Sequence, residues 1–344
     1  MQVPNDIGQP WRWNKLVEFC INGDQDYTFA TLCTLANNME LTIEQRVWMS
    51  FLYSACYCTP TTYIIFKRFP YQNKISRESI DRFWGEYKTG LVFNSDRRYV
   101  KNLNQFPDMA WDFIQICRGS CTKYIERFQS HNPPTFYKNM CEEIIKNWKG
   151  FGPMSSILFT EALYKLTPYK LDTNVFNWQK GLTSTEGMLH ALYMDEEALS
   201  FQKGKRKLGV IERVKLDRGL KKLQLDFKEK TGKRLTLYDA ETAMCFYRKL
   251  FKCHKYVGSS IDTQHLQLNL MTHAICNKCI PQVYWDKLFE VRKLVFRNDL
   301  VGELNGRHAR LDTKLYHRFM DEGITGAEDG PSVLIPYTYK ETHI

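Results

Sequence analysis

The sequence contains no apolar run long enough to cross a bilayer as a helix, so no membrane partner is expected. Its first residues, Met1–Trp13, carry no basic segment leading into an apolar stretch, so no secretory signal is expected. Cysteine lacks a framework. The 11 residues are odd in number and irregularly scattered, which suits reduced thiols in the cytoplasm rather than disulfide staples. Sustained apolar–polar alternation, the mark of half-buried strands, is scarce. Internal repeats and low-complexity segments are missing as well, which argues against a solenoid or a fibrous chain.

What is present fits a large helical protein. The 344 residues suffice for one large domain or two lobes with a real core, and 43% of them are apolar. The formal charge is +10, and nearly all of the excess is local. Between Lys203 and Arg234 there are 13 Lys/Arg against 4 Asp/Glu. Such a basic stripe is the usual footprint of a nucleic-acid binder, and its plainer reading is a solvated helix face. Lys221, Lys222 and Lys228 are its candidate DNA contacts.

Local patterns place the helices. Thr42 and Gln45 form a capping-box signature ahead of Val47, Trp48, Phe51, Leu52 and Ala55 at helical spacing. This helix should stop near Thr59-Pro60, because proline disfavours helix in the residue before it. Ile80, Phe83, Trp84 and Tyr87 mark a second helix. Phe136, Met140, Ile144, Ile145 and Trp148 mark a third, which runs into Gly150. The next carries Ile157, Leu158 and Glu161 to Leu166. A basic stretch with Gly204 and Gly209 reads as a linker or exposed loop. Leu216, Leu220, Leu223 and Phe227 restore helical spacing up to Gly232, a natural stop. Thr236 or Asp239 can start a last helix through Met244 and Phe251. The expected division is a helical core over 1–200, a basic helical lobe over 201–322 and an irregular tail over 323–344.

Between two of these helices lies Gly150-Phe151-Gly152. Glycine suits a turn that a side chain would obstruct, and a bare backbone lets a partner approach closely. Free amides at the start of the following helix can hold an anion such as a DNA phosphate. Asp172 follows 22 residues after Gly150, in L-D-T-N-V-F. Taken alone, this aspartate reads as a helix N-cap with Thr173 and Asn174 beside it. Hairpin and aspartate together resemble the helix-hairpin-helix DNA glycosylases of the endonuclease III type, whose pattern is L-P-G-V-G-x-x-T-A, a helix, then V-D-T-H-V-x-R. The resemblance implies a helix-hairpin-helix, glycosylase-like helical architecture with the family's essential aspartate at Asp172. Two features depart from that family. Met154 stands where the bifunctional members carry a lysine nucleophile, and no cysteine lies between Cys141 and Cys245 to build an iron–sulfur site.

Other segments are similar to a second family, the phage amino acid:DNA transferases, or α-glutamyl/putrescinyl thymine pyrophosphorylases. They are Tyr57-Cys58-Thr59-Pro60-Thr61, Ser95 to Lys101, Phe159 to Leu163, and Glu241 to Asp262. This resemblance spans about Gln25 to Arg310. It implies an enzyme of the host-cell cytoplasm, acting on double-stranded DNA that carries phosphorylated or pyrophosphorylated 5-hydroxymethyluracil. An amino acid or polyamine displaces the phosphorylated group, and no cofactor is needed.

Arg97, Arg98 and Lys101 could hold that leaving group, since arginine offers a planar fork of donors. A surface ion pair with Asp96 is the competing reading. Asp172 could take the proton of the attacking amine. A flipped base needs an aromatic-lined pocket, for which Tyr57, Tyr99, Tyr63 and Trp148 are candidate rings, each more commonly a core residue, with Asn174 as a polar pocket member. Cys58 could add to the pyrimidine ring as a thiolate, although a buried structural thiol is the commoner role. Cys276 and Cys279 near His273 form a single C-x-x-C without a matching pair, and no metal is expected. A monofunctional glycosylase and a non-catalytic DNA-binding protein are the alternative readings.

Overall fold

The computed structural model describes residues 10–22, 27–88, 91, 105–172, 176–179, 181–202 and 207–251. Every regular element among them is helical. The chain groups into two compact units, one formed by its middle and the other by its N-terminal helix together with later helices. The expected boundary at 200–201 falls inside the second of these, and the expected tail 323–344 lies outside the described residues.

The middle unit holds α2 (Tyr27–Asn38), α3 (Ile43–Cys56), α4 (Thr59–Arg68), a short 3-10 turn, α5 (Arg77–Tyr87), α6 (Phe106–Cys117), α7 (Cys121–Glu126), α8 (Pro133–Asn147) and α9 (Pro153–Leu166). Helix α3 is its axis. The capping box at its start forms as the sequence suggests, with the Gln45 amide donating to Thr42 Oγ1 and the Thr42 amide donating to Gln45 Oε1. From Val47 to Cys56 every residue of α3 is buried. A helix buried on all sides must settle its own polar groups. Ser50 and Ser54 do so by donating to the carbonyls of Arg46 and Phe51, each at 2.8 Å. The chain then turns at Tyr57, in a left-handed conformation with φ 47°, and Pro60 opens α4 instead of merely ending α3.

Aromatic rings fill the space around α3. Phe51 stacks on Phe113 of α6 at 4.1 Å between centroids, and Trp148 meets Phe113 and Phe159 edge-on at 4.8 and 4.7 Å. Such offset and edge-on pairs add to the gain from burial itself, by about 0.5–1.5 kcal/mol each. Glu44, in the first turn of α3, ties the unit together from its rim. Its carboxylate accepts from the Thr122 amide at 2.9 Å, the Thr122 hydroxyl at 2.5 Å, the Ser120 hydroxyl at 3.1 Å and the Cys121 amide. The carboxylate thus takes the first two amides of α7, while the N-cap Ser120 takes the Lys123 amide.

The other unit holds α1 (Pro10–Asn22), α10 (Leu182–Ala191), α11 (Asp195–Gln202), α12 (Val210–Thr231) and α13 (Leu237–Phe251). Helices α10 and α13 touch backbone to backbone at Gly187, where an added Cβ would lie 1.9 Å from the Met244 carbonyl oxygen. Helix α1 closes the core through Phe19, which meets Phe246 and Tyr247 edge-on. Helix α12 ends where glycine was expected to end it, with Gly232 at φ 69° and its amide bonded to Lys228 O at 2.8 Å. The start of α13 is capped by Thr236, whose hydroxyl accepts from the Asp239 amide.

Candidate functional site

The segment that the sequence singles out is built by α8, the hairpin 148–152 and α9. Trp148 ends α8 by donating its amide to Ile144 O, and its indole is anchored on Tyr124 Oη at 2.9 Å. Gly150 then takes a left-handed turn at φ 75°, and a Cβ there would stand 2.9 Å from the buried Met109 sulfur. Both facts call for glycine.

Phe151 points the opposite way from what DNA contact requires. It is buried, 5.5 Å from the Phe51 ring and 5.2 Å from Trp148. Its ring pins the turn to the core, and its amide donates to Trp148 O at 3.3 Å, so the DNA contact expected of Phe151 is not available to its side chain. Gly152 differs from Gly150. It is extended, at φ −134° and ψ −169°, and open space surrounds the place of its missing Cβ. Fold geometry therefore gives no reason for glycine here.

Gly152 is the N-cap of α9, and no side chain caps that helix. With Pro153 at the first helical position, the amides of Met154 and Ser155 complete an uncapped helix start. This is the arrangement that holds a phosphate oxygen. The rim is not purely basic, however. Lys149 donates its amide to Asp112 at 3.1 Å and its ammonium to Asp108 at 2.8 Å, and Asp108 also pairs with Arg77 at 2.7 Å. Hydrogen bonds from Lys149 and Arg77 hold Asp108 below the usual aspartate range.

Asp172 follows α9 in a segment that begins with the buried Tyr169 and Leu171, and is itself buried at 5% exposure. Residues 173–175, which would begin a helix capped by Asp172, lie outside the described residues, and the next described helix is α10. A second carboxylate, Glu161 of α9, is buried to the same degree at 6%. Sequence reasoning passed over it because a glutamate within a helix normally faces water. The neighbouring Leu158, Phe159, Ala162 and Leu163, all apolar, were the available signal.

Cys58 is fully enclosed, and burial pushes its thiol up to about 11 despite hydrogen bonds to Thr61 that act the other way. A protonated, enclosed thiol is a poor nucleophile at neutral pH, so the geometry favours its packing role. Tyr57 is half-buried beside Tyr53, at 5.7 Å between rings. Tyr63 and Trp148 are core residues. Arg97, Arg98, Lys101, Tyr99 and Asn174 lie outside the described residues, as do His273, Cys276 and Cys279. Two other arginines, Arg68 and Arg82, line an open groove of about 280 Å³ with Ser79, Phe83, Glu86 and Tyr87.

In the other unit, Lys221 and Lys228 are exposed on α12. Lys222 is engaged, pairing with Asp226 at 2.5 Å and lying 4.9 Å over the Trp13 ring. This unit also holds a part-buried polar network that sequence reasoning missed. His190 Nδ1 lies 2.7 Å from Asp195, Arg12 pairs with Asp195 at 2.9 Å and Arg248 pairs with Glu186 at 2.7 Å. Burial would raise the Asp195 carboxyl, but hydrogen bonds from His190 and Arg12 hold it below the usual range. Its bonded partners lie up to 183 residues apart in the chain, so no local pattern announces it.

No family model, curated protein or solved structure matches the chain.

Proposed function

We propose that the protein is an enzyme acting on DNA bases, and that it transfers an amine to an activated 5-methylene carbon of a modified thymine. The observation that carries this reading is the α8–hairpin–α9 segment with a buried aspartate behind it. A left-handed Gly150, an uncapped α9 start at an extended, unhindered Gly152, and the enclosed Asp172 follow one another within 23 residues. The two-lobed, glycosylase-like architecture belongs to the same proposal.

The chemistry suits the parts. A phosphate of the DNA backbone binds the α9 amides, while the excess charge of α12 attracts the duplex at longer range. The target base leaves the stack. A neutral amine then forms a carbon–nitrogen bond as the carbon–oxygen bond to phosphate or pyrophosphate breaks, and the leaving group departs with the electron pair. The amine's proton passes to Asp172, whose low exposure keeps water from competing for it. Met154, where a lysine would form a Schiff base, turns the reading away from strand cleavage.

The test offers the protein duplex DNA bearing 5-phosphorylated or pyrophosphorylated hydroxymethyluracil with a mixture of amino acids and polyamines. The DNA is then digested and its nucleosides are weighed. The expected result is a nucleoside heavier by one amine, lost in Asp172→Asn while DNA affinity persists. Release of a free base and an abasic site would instead establish a glycosylase. Tight DNA binding with no mass change under any condition would leave a binding protein.

A further inference from the structure

The outer face of α12 combines two properties that DNA binding alone does not need. Ile211, Val214, Arg218, Lys221, Leu225 and Lys228 follow one another at spacings of three and four, so they form one stripe along the helix. The aliphatic members are exposed to an unusual degree: 71% for Ile211, 42% for Val214 and 66% for Leu225. Neighbouring Val210 is 70% exposed. The basic members are exposed too, and Arg218, Lys221 and Lys228 are in no ion pair with a described residue.

Two of the four acids of the same helix are engaged by tryptophans of the unit. Asp217 accepts from the Trp178 indole at 2.7 Å, and Asp226 accepts from the Trp13 indole and from Lys222. Helix α12 thus sorts its charges in part, tying Asp217 and Asp226 to tryptophans and leaving Arg218, Lys221 and Lys228 beside aliphatics on the outside, with Glu229 exposed next to them.

From this sorting we infer that the outer face of α12 is a docking surface for an amphipathic helix of a partner protein, one that alternates carboxylates with large aliphatic side chains. Charge complementarity selects this occupant. A second copy of the chain would set Arg218, Lys221 and Lys228 against their own like charges. A lipid surface favours an unbroken apolar stripe, and here Arg218 and Lys221 interrupt it between Val214 and Leu225. Phosphates would satisfy the bases but gain nothing from Ile211, Val214 and Leu225. A helix with alternating acidic and aliphatic contacts satisfies both sets, through helix-in-groove recognition read at i, i+3, i+4 and i+7. The inference goes beyond the proposed activity and does not depend on it.

The experiment uses the full chain and a fluorescein-labelled, three-heptad synthetic helix whose contact positions alternate leucine and glutamate. Binding is read by anisotropy. In parallel, the protein is titrated with duplex DNA and with phosphatidylserine–phosphatidylcholine vesicles, and its mass is followed in solution. Two double variants are compared: Val214→Ser with Leu225→Ser, and Arg218→Glu with Lys221→Glu. All four positions are exposed, and circular dichroism checks that both variants fold. The expected result is a Kd for the peptide below about 1 mM, weakened at least about tenfold by each variant, with DNA affinity unchanged by the serine pair. Absence of peptide binding would overturn the proposal. So would loss in the charge-reversed variant alone, which would reduce the face to unspecific electrostatics. Vesicle binding or self-association abolished by the serine pair would likewise overturn it, in favour of a lipid surface or a second copy.

Discussion

Alanine at each of the two hairpin glycines separates what the turn needs from what a DNA partner needs. At Gly150 two costs add. The left-handed φ of 75° disfavours any side chain by about 1–2 kcal/mol. The new methyl would also stand 2.9 Å from the Met109 sulfur and 3.0 Å from its Cγ. Methionine can swing aside, but Met109 is only 3% exposed, so its movement displaces packed neighbours at a cost of about 1–2 kcal/mol. Gly150→Ala should therefore destabilise the protein by about 2–4 kcal/mol. At Gly152 neither cost arises, because the residue is extended and the Cβ meets open space. Alanine is a worse N-cap than glycine by about 0.5–1 kcal/mol, yet it restricts the unfolded chain by a similar amount, and these effects offset to within about 0.5 kcal/mol. Urea unfolding followed by tryptophan fluorescence measures both. Binding to a labelled duplex completes the comparison: Gly152→Ala should weaken it, since a methyl group then obstructs phosphate approach to the α9 amides. Equal destabilisation by the two substitutions would refute the turn geometry. Unchanged DNA affinity in Gly152→Ala would refute the assignment of the hairpin backbone as the phosphate contact.

Other perturbations test the remaining elements. Glu44→Gln should cost about 1–3 kcal/mol at neutral pH, because one carboxylate serves the open start of α7. Burial by itself would raise the Glu44 carboxyl above its ordinary 4.5, but hydrogen bonds from Thr122, Cys121 and Ser120 prevail and lower it. The folded value is thus depressed, so its stabilisation is present above pH 4.5 and is lost as pH falls through that lower value. The gap between wild type and Glu44→Gln should narrow over the same acid window in urea titrations; a gap independent of pH would be inconsistent with this account. Gly187→Ala must separate α10 from α13, since its methyl would lie 1.9 Å from a carbonyl oxygen, and a loss of about 3 kcal/mol or failure to fold is expected by circular dichroism. Cys58 should resist iodoacetamide in the native protein at pH 7 and react only on unfolding, as read by peptide mass; rapid native alkylation would revive it as a nucleophile.

The helices themselves were legible in the sequence because their causes are local. A capping box at Thr42 and Gln45, apolar residues at helical spacing in α5, α8 and α12, and a glycine able to turn left-handed at Gly232 act within a few residues of one another. The hairpin and its aspartate were legible as a spacing for the same reason. What each residue does there was decided by packing. Phe151 turned inward because an aromatic ring between two glycines gains most by joining Phe51 and Trp148. Gly150 and Gly152 look alike in the sequence, yet only Gly150 has a positive φ and a methionine in the way. Cys58 looked like one member of a chemical motif until burial closed it off. The cap that Glu44 gives to α7 and the pairing of Arg12 with Asp195 join residues 78 and 183 positions apart. Even the basic stripe changed meaning in three dimensions. The sequence by itself determined its charge, but only the fold brought Trp178 to Asp217 and Trp13 to Asp226 and left Ile211, Val214 and Leu225 outside with the bases. Composition is additive along a chain, whereas the direction a side chain faces depends on which distant helix packs behind it.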